Sequence, residues 1–191
     1  MIARTHDIIA FASLITIAIY QPPNELNITT SCIAIVGSVV GSLIPDMDQA
    51  SNRLWDLLPA GNFFGKIFKS LMLQHRTISH SILGVYLFYQ ILNFVMPKLL
   101  NPAYVNPQIV VISIMIGLIS HILADMITKE GVPLLVPFPF KIGIPPFEFL
   151  RFTTGKFIEK FIIFPGVILY ILWIIINKKE ALLSLVRMIK Y

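Results

Sequence analysis

The residues able to do chemistry in this chain lie in four short polar clusters. There are four histidines, His6, His75, His80 and His121. The clusters are Arg4-Thr5-His6-Asp7, Pro45-Asp46-Met47-Asp48, His75-Arg76-Thr77-Ile78-Ser79-His80-Ser81 and His121-Ile122-Leu123-Ala124-Asp125. Imidazole nitrogen and carboxylate oxygen together suit zinc, manganese or iron, and disfavour copper(I) and iron–sulfur clusters, which need sulfur. The spacings are compatible with shared ligation. His121 and Asp125 stand at i and i+4 and project from one helical face. Asp46 and Asp48 flank one residue after a proline turn, so two carboxylates can aim at one centre. His75 and His80 are close enough for a turn or helix start to bring together. The candidate metal ligands are therefore His6, Asp46, Asp48, His75, His80, His121 and Asp125.

That set exceeds the three protein ligands usual for one catalytic zinc, so the cofactor is one or two divalent ions, zinc first and manganese or iron as alternatives. A paired centre stabilises both the attacking and leaving oxygens in phosphoester hydrolysis. Arg76 has the fork geometry to anchor a phosphate, and Asp48 or Asp125 could act as the base. Others of the set could orient the ligands from behind. A calcium loop at Asp46-x-Asp48 is excluded, because Ala50, Ser51 and Leu57 stand where that loop needs an oxygen ligand, glycine and glutamate. A lone histidine serves a structural hydrogen bond as often as a metal. The convergence of all four singles out the metal.

The elements that must position these groups are membrane helices. The 191 residues are 56% hydrophobic and 13% charged, with mean hydropathy +0.79, against about 25% charged in a soluble domain. The net charge of +5 and pI near 9.4 come from basic residues lying between apolar runs. That placement fits anionic lipid headgroups and argues against nucleic acid. The single cysteine, Cys32, sits in an apolar stretch and excludes an internal disulfide. Five apolar runs cover Ile8–Tyr20, Cys32–Ile44, Ile82–Leu100, Ile109–Ile127 and Phe161–Ile176. A spanning helix needs about 20 apolar residues, so the first two runs cross only if their flanks are counted. Met1–Tyr20 lacks a small-residue cleavage site before Gln21-Pro22-Pro23 and is read as a helix that stays. Gly131–Pro146, with Pro133, Pro137, Pro139, Pro145 and Pro146, cannot form a regular helix and is expected to cover protein or lie at the interface. Amphipathic patterns at Phe63–Leu73 and in the tail (Leu182, Leu185, Val186 and Ile189 against Lys179, Arg187 and Lys190) predict interfacial helices. Tyr86, Phe88, Tyr89 and Phe94 form an aromatic stripe suited to packing or lipid contact, and Asp7 and Asp56 read as capping or solvated residues.

If all five runs cross, the four clusters fall on one face. That face carries ten Lys and Arg residues, against five on the other. The positive-inside rule makes the ten-charge face cytoplasmic.

On these residues the chain resembles the YdjM-like family of membrane-bound metal-dependent hydrolases. The matching pieces are Thr5-His6, the segment from Gly41 through Pro45-Asp46-Met47-Asp48 with Ser51, and His75-Arg76-Thr77-Ile78-Ser79-His80-Ser81. Gly117 through Ser120-His121-Ile122-Leu123-Ala124-Asp125 with Thr128, then Gly131-Val132-Pro133 and Pro137-Phe138, continue the match. A looser similarity reaches the helical zinc-dependent phospholipase C and P1-nuclease type, where a Thr-His near the N-terminus and a His-x-x-x-Asp helix contribute ligands. This chain has no Pro-x-His after that helix motif. The resemblance implies a hydrolase, and the looser one favours phosphoesters.

The expectation is thus an all-α polytopic bundle, 1–191, forming a single integral membrane domain. Four to five transmembrane helices plus interfacial helices make it up, in the cell (inner) membrane with the site at the cytoplasmic face. A metal-activated water would cleave a phosphoester or related bond of a lipid or lipid-linked substrate, with a phospholipid as one candidate. The rivals are a metal or proton transporter, whose site tends toward the midplane of repeated helices, and a non-catalytic metal-stabilised subunit.

Overall fold

The computed structural model describes residues 1–47, 53–56, 61, 78–138 and 140–190. Seven α-helices are described: α1 Ala3–Tyr20, α2 Ile28–Leu43, α3 Arg53–Asp56, α4 Ile82–Leu99, α5 Pro107–Met126, α6 Phe164–Asn177 and α7 Lys179–Met188. Two-residue strands, β1 Leu26–Asn27 and β2 Ile189–Lys190, pair in parallel and tie the tail to the α1–α2 connection. Short polar residues start three of the described helices, α2, α4 and α5. Asn27 accepts from Thr30 N at 2.7 Å, Ser81 from Gly84 N at 3.0 Å, and Asn106 from Gln108 N at 3.0 Å. Each such cap contributes about 1 kcal/mol. The Asn106-Pro107 pair that breaks the hydropathy pattern is therefore a cap followed by a proline at the first helical position, where its missing N–H costs nothing.

Among the described residues, four stretches are long and apolar enough to cross a membrane: Ala3–Tyr20, Ile82–Leu99, Pro107–Met126 and Glu159–Asn177. The last begins with a π-helical turn, Glu159–Ile163, that runs into α6. The first reaches spanning length because the helix starts at Ala3, ahead of its apolar run. The second run remains short, at 16 residues, or about 24 Å of helix.

The centre of the bundle is α5, which packs against α1, α2 and α4. Leu92, Val110, Val111, Ile114, Leu118 and Ile122 are among the residues of its apolar core. The outward faces of α4 and α6 stay apolar, with Tyr86, Tyr89 and Phe94 exposed alongside Leu169 and Ile176, as a lipid-facing surface requires. Phe88, the remaining member of the aromatic stripe, packs on the core. The seam between α2 and α5 is closed by small residues. A Cβ on Gly41 would stand 2.0 Å from Ile114 O, and one on Gly117 1.8 Å from Ser38 O. Only hydrogen fits at either position, so the two backbones approach as in small-xxx-small helix pairs.

The proline-rich segment covers protein, as expected. Val132 is buried and exchanges two backbone hydrogen bonds with Ile142, both 2.8 Å, while Leu134 O accepts from Ile82 N and Met126 O from Ile144 N. The segment thereby joins the start of α4 to the end of α5. The amphipathic tail forms α7 as far as Met188, while Ile189 and Lys190 of the expected pattern lie in β2. Phe63–Leu73 lies outside the described residues.

Candidate metal centre

Four segments meet at one end of the bundle. The first turn of α1 carries His6. The turn after α2 carries Asp46. The 3-10 turn Ile78–His80 carries His80, and the last turns of α5 carry His121 and Asp125. His6, His80, His121 and Asp125 are at most 1% exposed, while Asp46 is half-buried at 23%. His6 Nε2 stands 3.3 Å from Asp125 Oδ1, and His121 Nε2 stands 3.8 Å from both Asp125 Oδ2 and Asp46 Oδ2. His80 Nε2 lies 3.6 Å from Asp46 Oδ1 and 3.9 Å from Asp125 Oδ2. The His6 and His121 rings stack with centroids 3.6 Å apart, and His80 meets His121 edge-on at 5.4 Å. Asp125 Oδ1 also accepts from the amino group of Met1.

The geometry fits a cation. Apart from the short Met1 contact, these nitrogen–oxygen separations between histidine and aspartate exceed ordinary hydrogen bonds. Ligand atoms about 2.1 Å from a tetrahedral ion stand about 3.4 Å from one another. Two groups have one ligand atom per residue all within 4.8 Å: His6 with His121 and Asp125, and Asp46 with His80 and His121. His121 belongs to both. Its Nδ1 lies 2.6 Å from Ser42 O. A carbonyl only accepts, so Nδ1 carries the hydrogen and the Nε2 lone pair faces the other side chains. Neither His121 Nε2 nor His6 Nδ1 has a hydrogen-bond partner among the described residues, although both are buried. Asp125 presents Oδ1 toward His6 and Oδ2 toward His80 and His121, so one carboxylate faces both groups. This is a buried His/Asp cluster that could hold a metal ion.

Residues 1–188 match the family described as YdjM inner membrane protein. The chain belongs to that family. YvsG of Bacillus subtilis is 27% identical over 163 residues, covering 85% of this chain and 88% of that protein. The inner membrane protein YdjM of Escherichia coli is 29% identical over 133 residues, 67% of this chain and 60% of that protein. No solved structure matches. Membership in an inner-membrane family agrees with the helix lengths and with the multi-pass localisation expected from hydropathy.

Of the ligands expected from sequence, the structure of this YdjM-family chain brings together His6, Asp46, His80, His121 and Asp125. Asp48, His75 and Arg76 lie outside the described residues. Asp7 is no simple cap: Arg53 Nη1 donates to its Oδ2 at 2.6 Å, and Ser42 Oγ stands 3.2 Å from its Oδ1. Asp56 is exposed, as expected.

Sequence reasoning missed Glu159. This buried carboxylate accepts from Ile2 N through Oε1 at 2.7 Å and from Gly155 N through Oε2 at 2.6 Å. No side chain of its own caps α1, so Glu159 supplies an acceptor for its orphan donors and a negative charge at its positive end. The available signal was a lone carboxylate at the mouth of an apolar run. Glu159→Gln turns an amide NH2 toward one of these N–H groups and leaves a buried donor unsatisfied. A loss of about 1–3 kcal/mol is expected, read as a lower thermal midpoint in nanodiscs, with Glu159→Ala lower still. Unchanged midpoints in both variants would show that the clamp contributes nothing.

Proposed function

We propose that this protein is a membrane-bound metal-dependent hydrolase acting on a phosphoester or related bond of a lipid or lipid-linked substrate. The observation that carries the reading is the cluster itself: five imidazole and carboxylate side chains from four segments, four of them buried and Asp46 half-buried, at one end of an apolar bundle and spaced for an ion. Ionisable groups at such depth are costly to keep without a function. A bound divalent ion supplies Lewis acidity, polarising a phosphoryl oxygen and making water nucleophilic near neutral pH. The chain's own residues do the rest. Ser42 O fixes the tautomer of His121. Asp125 faces both halves of the cluster. Asp46, the most exposed of the five, marks the side from which substrate and water arrive and is placed to take a proton there. Asp48 and Arg76 retain the roles their sequence context suggests, a second carboxylate beside Asp46 and an anchor for the anionic group.

The cluster sits at helix ends, on the face that the basic residues make cytoplasmic. A carrier's site belongs near the midplane in broken helices, so the placement favours hydrolysis over transport. Purified protein should contain one or two equivalents of zinc, manganese or iron, and should release phosphate or headgroup from a phospholipid or lipid-linked phosphate only when loaded. Asp46→Asn should keep the ion held by His6, His121 and Asp125 while losing turnover. Protein that takes up no metal after reconstitution would overturn the reading, and metal counterflow in proteoliposomes without hydrolysis would replace it with transport.

A further inference from the structure

On the other side of α1 from the cluster lies an open cleft of about 1050 Å³. Its α1 wall is Arg4, Asp7, Ile8 and Phe11, and its opposite wall is Lys160 and Phe164 at the start of the last span. Arg53 closes one side. At about 100° per residue, positions 4, 7, 8 and 11 form one stripe that points some 150° away from His6. The cleft is therefore separate from the metal centre, though at the same end of the bundle.

Its charges are unbalanced. Arg53 is paired with Asp7 at 2.6 Å. Arg4 and Lys160 are exposed and have no ion-pair or hydrogen-bonded side-chain partner among the described residues. Two cations thus stand over a wall of Ile8, Phe11 and Phe164, where α1 and the last span enter the apolar layer. A soluble anion has no use for that wall, whereas an acyl chain does. Basic side chains above an apolar surface at a helix end are the arrangement that holds an anionic lipid.

We propose that this cleft binds the phosphate-bearing headgroup of an anionic phospholipid, with Arg4 and Lys160 contacting the phosphate and Ile8, Phe11 and Phe164 lining its acyl chain. The site is independent of hydrolysis, and its test needs no turnover. Full-length protein, delipidated in neutral detergent, is titrated with phosphatidylglycerol and separately with phosphatidylcholine, and bound lipid is counted by native mass spectrometry. Wild type should retain phosphatidylglycerol in preference to phosphatidylcholine. In Arg4→Gln/Lys160→Gln the phosphatidylglycerol affinity should fall about thirty-fold, each cation near an anionic surface accounting for about a factor of five, with phosphatidylcholine unchanged. An unaltered phosphatidylglycerol affinity in the double variant, or no preference in wild type, overturns the proposal. Inorganic phosphate displacing the lipid at equal concentration also overturns it, assigning the cleft to a soluble anion. Metal content and thermal midpoint in phosphatidylcholine nanodiscs report whether the double variant folds. If it does not, Lys160→Gln alone carries the test, with a loss of about five-fold.

Discussion

His121→Ala should strip metal from the protein while leaving the bundle folded. His121 is the one residue common to both groups of potential ligands, and its Nε2 faces a carboxylate oxygen of each, Asp46 Oδ2 and Asp125 Oδ2, at 3.8 Å. Its removal leaves each group with two donors, fewer than the three that hold a catalytic zinc. Losing only a supporting partner of a ligand costs about 10–100-fold in metal affinity, and losing the shared ligand should cost more. Alanine is the best helix former, and the neighbouring core of Leu118, Ile122 and Val111 is untouched, so circular dichroism should be unchanged. His6→Ala is the informative companion. It breaks only the group containing Asp125, so Asp46, His80 and His121 should still hold an ion at reduced stoichiometry. Elemental analysis of the three proteins decides the matter. Full occupancy in His121→Ala would remove the metal assignment, and equal loss in both variants would reduce the centre to a single ion.

The cluster was largely legible in the sequence because two independent patterns point to it. If all five hydropathy runs cross, they alternate direction, and the clusters containing His6, Asp46, His80 and His121 occupy the ends that alternation brings together. The i, i+4 spacing of His121 and Asp125 then places both on one face of α5, and both are buried there. Other features follow from contacts that a linear pattern does not mark. Helix α1 begins at Ala3 although its apolar run begins at Ile8, because Thr5 and His6 are polar yet turned into the protein. Asp7 finds Arg53, 46 residues away. Among the described residues, the Glu159 carboxylate accepts from backbone N–H groups of Ile2 and Gly155, and those donors exist at every non-proline residue, so no side-chain pattern announces the pairing. The glycines were visible as residues, but which helix would press against them was not.

Those glycines carry the second large effect. A Cβ at position 117 would meet Ser38 O at 1.8 Å and one at position 41 would meet Ile114 O at 2.0 Å, where carbon and oxygen normally stay above about 3.3 Å. Both neighbours are backbone atoms, so no rotamer change relieves the clash and α2 must move off α5 by about an ångström or more. The bond from His121 Nδ1 to Ser42 O, 2.6 Å long, crosses that same seam and cannot survive such a shift. Gly117→Ala should therefore cost about 1–3 kcal/mol through overpacking, and Gly117→Val more. Where folded protein remains, its metal affinity should fall about 10–100-fold, as when a ligand's supporting partner is lost, although no ligand has been changed. Gly166→Ala in α6 is the control. Nothing lies within 4 Å of its added methyl, so it should gain about 0.5–1 kcal/mol from the helix preference of alanine. Thermal midpoint and metal content, measured together in nanodiscs, separate the two glycines. If Gly117→Ala behaved like Gly166→Ala in both, the α2–α5 seam would not be what sets the cluster's geometry, and the positioning of His121 would have to come from α5 alone.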